Sequence, residues 1–402
     1  MPDIPYVKKR IGSAYLVWFQ NSNMFTQLEE PAWFVFSKTV KRYKAETIAN
    51  KFSIRYDIAI NESLTFVKDI RCVIKKMNQP NNIAKNTVGT ADKMDLASDN
   101  IEPVQNNRNP AADNLNKYNF IPFSIHHYRI GNKVIEFAYE TSRFEQYLHP
   151  LICHFETTEA KNEMQLFELF AFQEQIVFRY NGEVKGIWTK DETHLVKGLI
   201  FMCLVNVMHD KTDADWLMTV HASAITNGKK TILFSAPSGN GKTTIAALLQ
   251  TYGYQLISDD FVPIDRSSFK AHPFPIAMSV KKGSMDLLSS RIPTLEERPL
   301  NYISSQKSVR YLAPNHHLDL NQAVYPVKEF IFITYDSSVD FIWKKLDPLT
   351  AMKLLIDQSW VFPNPGNVAR LFDRILHISF FQLTYSNNQK AVEAITNLFD
   401  HD

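Results

Sequence analysis

The sequence predicts an α/β protein with further regions attached, and three observations carry that expectation. A run of β-formers, Thr231-Ile-Leu-Phe-Ser235, is followed by a glycine-punctuated loop and a helical segment opening at Lys242. That segment stops at Gly253, and a short apolar run, Tyr254-Gln-Leu-Ile-Ser258, then delivers Asp259-Asp260. Downstream, Glu329 to Asp336 and Phe380 to Tyr385 read as strands, interleaved with helical patterns near 349–361, 366–377 and 389–399. Strands alternating with helices are the mark of the α/β class. At 402 residues, two or three domains are expected.

In chain order, residues 12–78 read as a small self-contained module. Tyr15 to Phe19 and Met24-Phe25 flank the turn residues Asn21-Ser-Asn23, predicting two short strands. Three helices follow, with Trp33, Phe36 and Val40 on one face of the first, and Ile48 and Phe52 on the second. Leu64, Val67, Ile70, Ile74 and Met77 lie on one face of the third. These stripes are core. Residues 79–117 contain no Phe, Trp or Tyr and are rich in Asn, Asp, Ala and Pro, so a disordered linker with few contacts across it is expected. Removal of residues 1–117 is then expected to leave a soluble remainder.

From 118 to 210 the pattern is β-rich. Ser124 to Ile130 and Lys133 to Tyr139 flank Gly131-Asn132 as a hairpin, and segments at 168–172, 176–180 and 184–188 continue an antiparallel meander packed on the core. His126 and His127 are neighbours on a strand, so they point to opposite faces and do not share an ion. Thr193 to His209 reads as an apolar helix leading into the last region, 211–402. There, the polar stretch Ser289 to Ser308, with Arg291, Arg298, Lys307 and then Arg310, lacks periodicity and is expected to be a mobile loop.

The chemistry gathers around residues 236–244. Ala236-Pro-Ser-Gly-Asn-Gly-Lys-Thr-Thr244, in strand–loop–helix context, is a phosphate loop (Walker A), with Ala236 where Gly most often stands. Pro237, Ser238 and Asn240 complete the loop. Gly239 and Gly241 free backbone N–H groups to turn on a phosphate, and the helix N-terminus adds donors and dipole. Lys242, expected to be solvent-facing, supplies a point charge; Thr243 offers a hydroxyl to Mg²⁺. Before the loop, Thr219 to Ile225, Asn227-Gly228 and Lys230 to Ser235 signal a hairpin. A two-residue turn there sets His221 opposite Phe234. His221, the loop and Asp259-Asp260 therefore converge.

That constellation resembles the HPr kinase/phosphorylase family and the related HPr-kinase-like peptide serine kinases, over roughly residues 218–265. The family usually has Gly at the position of Ala236 and Glu at that of Thr244, and its stretch downstream of the Asp pair is not found here. The resemblance implies an ATP-dependent kinase acting on a serine of a peptide or protein. It also implies Asp259 as the base, Asp260 on the metal, and His221 bonded to the base. Residues 12–78, by their strand and helix order, resemble PqqD-like domains, winged-helix-like modules that bind leader peptides by strand addition. If so, the substrate is a ribosomally made precursor peptide.

Two other readings compete: an ATP-binding recognition or scaffold module that transfers nothing, and a plain P-loop ATPase relying on Asp336. A net charge of +2 makes no electrostatic case for nucleic acid or a membrane surface. Cys72, Cys153 and Cys203 are too sparse for a disulfide framework or zinc motif, and no apolar run approaches a membrane span, so a reduced cytoplasmic location is expected. A homo-oligomer is compatible with the sequence, which does not set the oligomeric state.

Overall fold

The computed structural model describes residues 3–80, 114–159, 164–304, 307–315 and 324–400. The protein is a mixed α/β chain divided into two units. Most of the expected linker lies outside the described residues, but its end does not. Leu115 is 2% exposed and packs on Phe170 and Val177, so the second unit begins earlier than residue 118.

The first unit opens with an antiparallel sheet of β1 (Tyr6–Ile11), β2 (Ala14–Phe19) and β3 (Met24–Glu29), followed by α1 (Glu30–Val40), α2 (Ala45–Tyr56) and α3 (Ile60–Met77). Strand β1 is additional to the two strands expected. Gly12 turns it into β2 with φ of 58°, a left-handed conformation that glycine adopts at no steric cost. Val17, Phe19 and Leu28 on one sheet face meet Trp33, Phe36 and Ile74 from the helices. Side chains alternate along β2, so Leu16 and Trp18 occupy the other face, and both are buried.

This unit is not confined to residues 1–78. It takes in Leu346–Asp357 and Val361–Ile378 from far along the chain. The helix Pro365–Arg374 packs against β1, Phe372 meets Phe25 at 6.1 Å, and Asp373 pairs with Lys9 at 2.6 Å. Val368, Leu371 and Phe372 of that helix are buried. The expectation of a self-contained N-terminal module is therefore corrected: its core is completed by a C-terminal helix.

In the second unit, β4 (Ser124–Ile130), β5 (Lys133–Tyr139), β6 (Gln165–Phe172), β7 (Gln175–Tyr180) and β8 (Glu183–Trp188) form one sheet in that order. It is not a pure meander. β5 runs parallel to β6, because the connection between them carries α4 (Ser142–Ile152) as a crossover. Helix α5 (Thr193–His209) follows.

The larger sheet has at its centre β11 (Thr231–Ser235), flanked by β10 (Ala222–Thr226) antiparallel and β18 (Tyr325–Tyr335) parallel. Beyond β10 lies β12 (Gln255–Ser258); beyond β18 lies β21 (Ser379–Tyr385), which also pairs β19 (Phe341–Leu346). The start of β18 joins β14 (Lys270–Ala271), which continues to β13 (Val262–Asp265), β9 (Trp216–Val220) and β20 (Ser359–Val361). Strand β20 occupies residues expected to end a helix at 361.

Helix α6 (Lys242–Thr251) packs on this sheet. Ile245, Ala246 and Leu249 share a core with Phe234, Ile331 and Leu383, and the last helix, Asn388–Asp400, adds Val392 and Ile395. The stretch 289–308 is not a loop throughout. After α7 (Lys282–Ser289), β16 (Leu300–Ser304) and β17 (Lys307–Leu312) form a small sheet with β15 (Met278–Lys281), in which Val309 and Leu312 turn inward. Its mixed sequence hides a strand pair because only one face is apolar. Among the described residues, no helix is long and apolar enough to cross a membrane.

Candidate functional site

The loop 236–241 leaves the buried strand β11 and enters α6 at Lys242. Gly239 and Gly241 hold φ of 90° and 91°, a region that L side chains rarely adopt. At Gly241 a Cβ would also stand 2.5 Å from the Tyr385 hydroxyl. Lys242 is not solvent-facing: it is 4% exposed, its Nζ donating to the Ala236 carbonyl at 2.8 Å and lying 3.3 Å from His221 Nε2. Helical side chains lean toward the N-terminus, so the first residue of α6 folds back across its own loop. The other loop side chains are tied down. The Asn240 amide donates to the Pro237 carbonyl at 3.2 Å, Ser238 accepts from Lys281 Nζ at 2.5 Å, and Thr244 pairs with Ser284 at 2.7 Å.

His221 does not lie opposite Phe234. The register pairs Ser223 with Phe234 and Ala222 with Ser235. The connection is four residues long, because Asn227 Oδ1 accepts from the N–H groups of both Lys229 and Lys230 and pulls them out of the ladder. His221 is instead the break between β9, which pairs with β13, and β10, which pairs with β11. Its N–H donates to the Gln358 carbonyl at 2.8 Å and its carbonyl accepts from Ser235 Oγ at 3.3 Å. That break carries the imidazole to the loop mouth.

The acids separate. Asp259 is 2% exposed and accepts from Thr243 Oγ1 at 3.0 Å and from Ser223 Oγ by a short bond. Asp260 lies 3.5 Å from His221 Nε2, with its side chain 40% exposed. Its φ of 66° is left-handed, which turns its side chain away from the direction strand geometry would give it. His221 thus meets Asp260 rather than Asp259, and the metal-type hydroxyl of Thr243 meets Asp259 rather than Asp260. Burial, then the charge of Asp260, pushes the Asp259 carboxyl up to about 6. Burial acts the same way on Asp260, but His221, Lys242 and Lys197 outweigh it and hold that carboxyl below the usual range.

Two basic residues join the site that sequence patterns do not single out. Lys281, at the end of β15, reaches Ser238 of the loop. Lys197 of α5 sits 5.1 Å over the Phe201 ring. Burial lowers its pKa, while the charges of Asp260 and Asp259 act to raise it. Neither has a local signal, since each arrives from a separate element. Arg310 is absorbed structurally, donating to the carbonyls of Leu295 and Glu296. Asp336 is a turn residue, accepting from Ser338 N and Oγ at 2.9 and 2.6 Å.

The cradle fits a nucleoside triphosphate with a divalent cation: left-handed glycines open the loop backbone, an ammonium lies over it, and a hydroxyl faces the Asp259 carboxylate with a second acid beside it. Comparison with known proteins adds little. No family model and no curated protein matches this chain. Among solved structures, an Hpr(Ser) kinase/phosphatase from Coxiella burnetii is similar over 45% of this chain and 89% of its own, at 11% identity and a TM-score of 0.20, too low to bear on fold or function.

Proposed function

We propose that this chain is an ATP-dependent kinase that transfers the γ-phosphate to a serine hydroxyl of a peptide or protein. The observation that carries the reading is the meeting of a left-handed glycine loop, Lys242, Thr243 and a split Asp pair at one strand end. MgATP, when bound, supplies the phosphoryl group and the divalent charge that offsets its negative charge. The loop amides and Lys242 hold the phosphates. Thr243 and Asp259 hold the cation, reversing the roles that resemblance implied. Asp260 accepts the serine proton on its carboxylate, oriented by His221. Transfer through a loose transition state rests on positioning and electrostatics, so a carboxylate kept anionic at neutral pH suits that role. The acceptor as a serine of a peptide or protein follows the kinase resemblance, and a ribosomally made precursor peptide follows that of the N-terminal segment.

The test is transfer from radiolabelled ATP to a degenerate serine peptide library, with calorimetry of MgATP binding alongside. The wild type binds and transfers, Asp260→Asn binds without transferring, and Asp259→Asn loses the Mg²⁺ dependence of binding. Binding by the wild type with no labelled peptide or released phosphate would favour the scaffold reading. Phosphate release without any labelled peptide would favour the plain ATPase.

A further inference from the structure

The smaller sheet of the second unit gathers a second polar cluster, unrelated to the phosphate loop. His126 lies on β4, Glu145 and His149 are one turn apart on α4, and Glu156 follows α4 on a segment bridged to Tyr128. A spacing of four residues on a helix puts Glu145 and His149 on one face. One ligand atom each from His126, His149 and Glu156 lie within 4.8 Å of one another.

Each imidazole is held on one nitrogen by an oxygen outside the trio, and the other nitrogen of His126 faces Glu156 within it. His126 Nε2 faces Glu145 Oε1 at 2.7 Å, while its Nδ1 faces Glu156 Oε1 at 2.6 Å. His149 Nδ1 is 2.8 Å from the Tyr128 hydroxyl, which in turn is 3.4 Å from the Tyr139 hydroxyl. With Tyr128 donating to Tyr139, its oxygen accepts from His149 Nδ1–H, and the Nε2 lone pair is presented. Metal-bound histidines carry this pattern of a carboxylate or other oxygen on the second ring nitrogen.

We propose that His126 Nδ1, His149 Nε2 and Glu156 bind a divalent transition cation of the zinc type, with Glu145 and Tyr128 as positioning residues. Two imidazoles and a carboxylate suit zinc and its neighbours and disfavour Mg²⁺. Three protein ligands leave a fourth position to water. Glu156 is the most exposed member, 47% by side chain, and gives the ion a way in. Seating it opens the contact between His126 Nδ1 and Glu156 to about 3.3 Å, the edge of a tetrahedron with zinc-type bond lengths.

Without the ion, His126 bridges two carboxylates. Burial works against its charge, but hydrogen bonds and charge from Glu156 and Glu145 win and raise its pKa. The groups facing it are Glu145 and His149 from α4, Tyr128 from β4, Tyr139 from β5 and Glu156.

Calorimetry with zinc chloride on the full chain tests this. One zinc binds per chain, and excess Mg²⁺ does not compete. His149→Asn preserves the bond to Tyr128 and the His126 ion pairs, yet weakens zinc at least about a hundredfold; Tyr128→Phe weakens it by about 10–100-fold. Absence of zinc binding overturns the proposal. So does binding unchanged in both variants, which would leave His126 as an ion-paired strut and place any zinc elsewhere.

Discussion

Two of the places where the second unit buries charge do so differently. In the smaller sheet, Arg179 and Glu168 are 6% and 8% exposed. The guanidinium meets both carboxylate oxygens, at 2.6 and 2.5 Å, and donates further to the carbonyls of Leu115 and Tyr118 at 3.0 and 2.8 Å. Every charge there has an opposite partner in fork geometry. At the loop mouth, two adjacent carboxylates share one pocket with Lys242 and His221, and the two acids are driven apart in proton affinity. A buried charge that serves the fold is closed on itself. One that serves chemistry is left crowded, at a cost in stability.

That contrast can be broken by mutation. The largest effect is expected from Asp260→Asn, which lowers single-turnover transfer by about 10²–10⁴-fold with MgATP affinity retained. Loss of binding alongside would return Asp260 to the metal. Next, Arg179→Met leaves Glu168 buried without its partner and costs about 3–5 kcal/mol in urea unfolding, with MgATP affinity unchanged.

Asp259→Asn should act in the opposite direction. Its carboxyl titrates near 6 when folded and near the ordinary 3.8 when unfolded. Between those values only the folded chain holds the proton, so stability declines as pH rises from about 4 to about 6 and stays lower above. The variant lacks that decline and gains about 3 kcal/mol at pH 7, shrinking to nothing near pH 3.5. A variant less stable than wild type at pH 7 contradicts the crowding argument. Smallest of all, Asp336→Asn leaves transfer and MgATP affinity unaltered, because its carboxylate serves only the Ser338 turn.

Much of the loop was readable from residue types alone, because Gly239, Gly241, Lys242 and Thr243 act through the backbone path of a single segment. The Asp pair was readable for the same reason. What was not readable depends on distant elements. His221 reaches the loop mouth because β9 and β10 belong to different parts of the sheet, a break that no local pattern marks. The side-chain bonds of Asn227 lengthen a connection that the dipeptide Asn227-Gly228 alone would make two residues. Lys197, Lys281 and His149 come from separate elements, and a left-handed backbone at Asp260 exchanges the partners of the two acids. In the first unit, the apolar stripes of α1 to α3 were legible, but the helix Pro365–Arg374 that packs on β1 and meets Phe25 comes from far along the chain. Removing residues 1–117 therefore strips that helix of its buried partners, and the remainder is expected to aggregate rather than stay soluble.

The same helix sets a timetable. The N-terminal sheet is made first during synthesis, yet the chain that closes it runs to residue 378. From residue 78 that is 378 − 78 = 300 residues later, or about 15–60 s at ordinary rates of elongation. For that interval β1 and Phe25 lack the helix that packs on them, and the nascent chain presents that sheet face to whatever is nearby. Ribosome-associated chaperones should hold this chain longest between those two points, and a stall late in translation should release a sticky fragment.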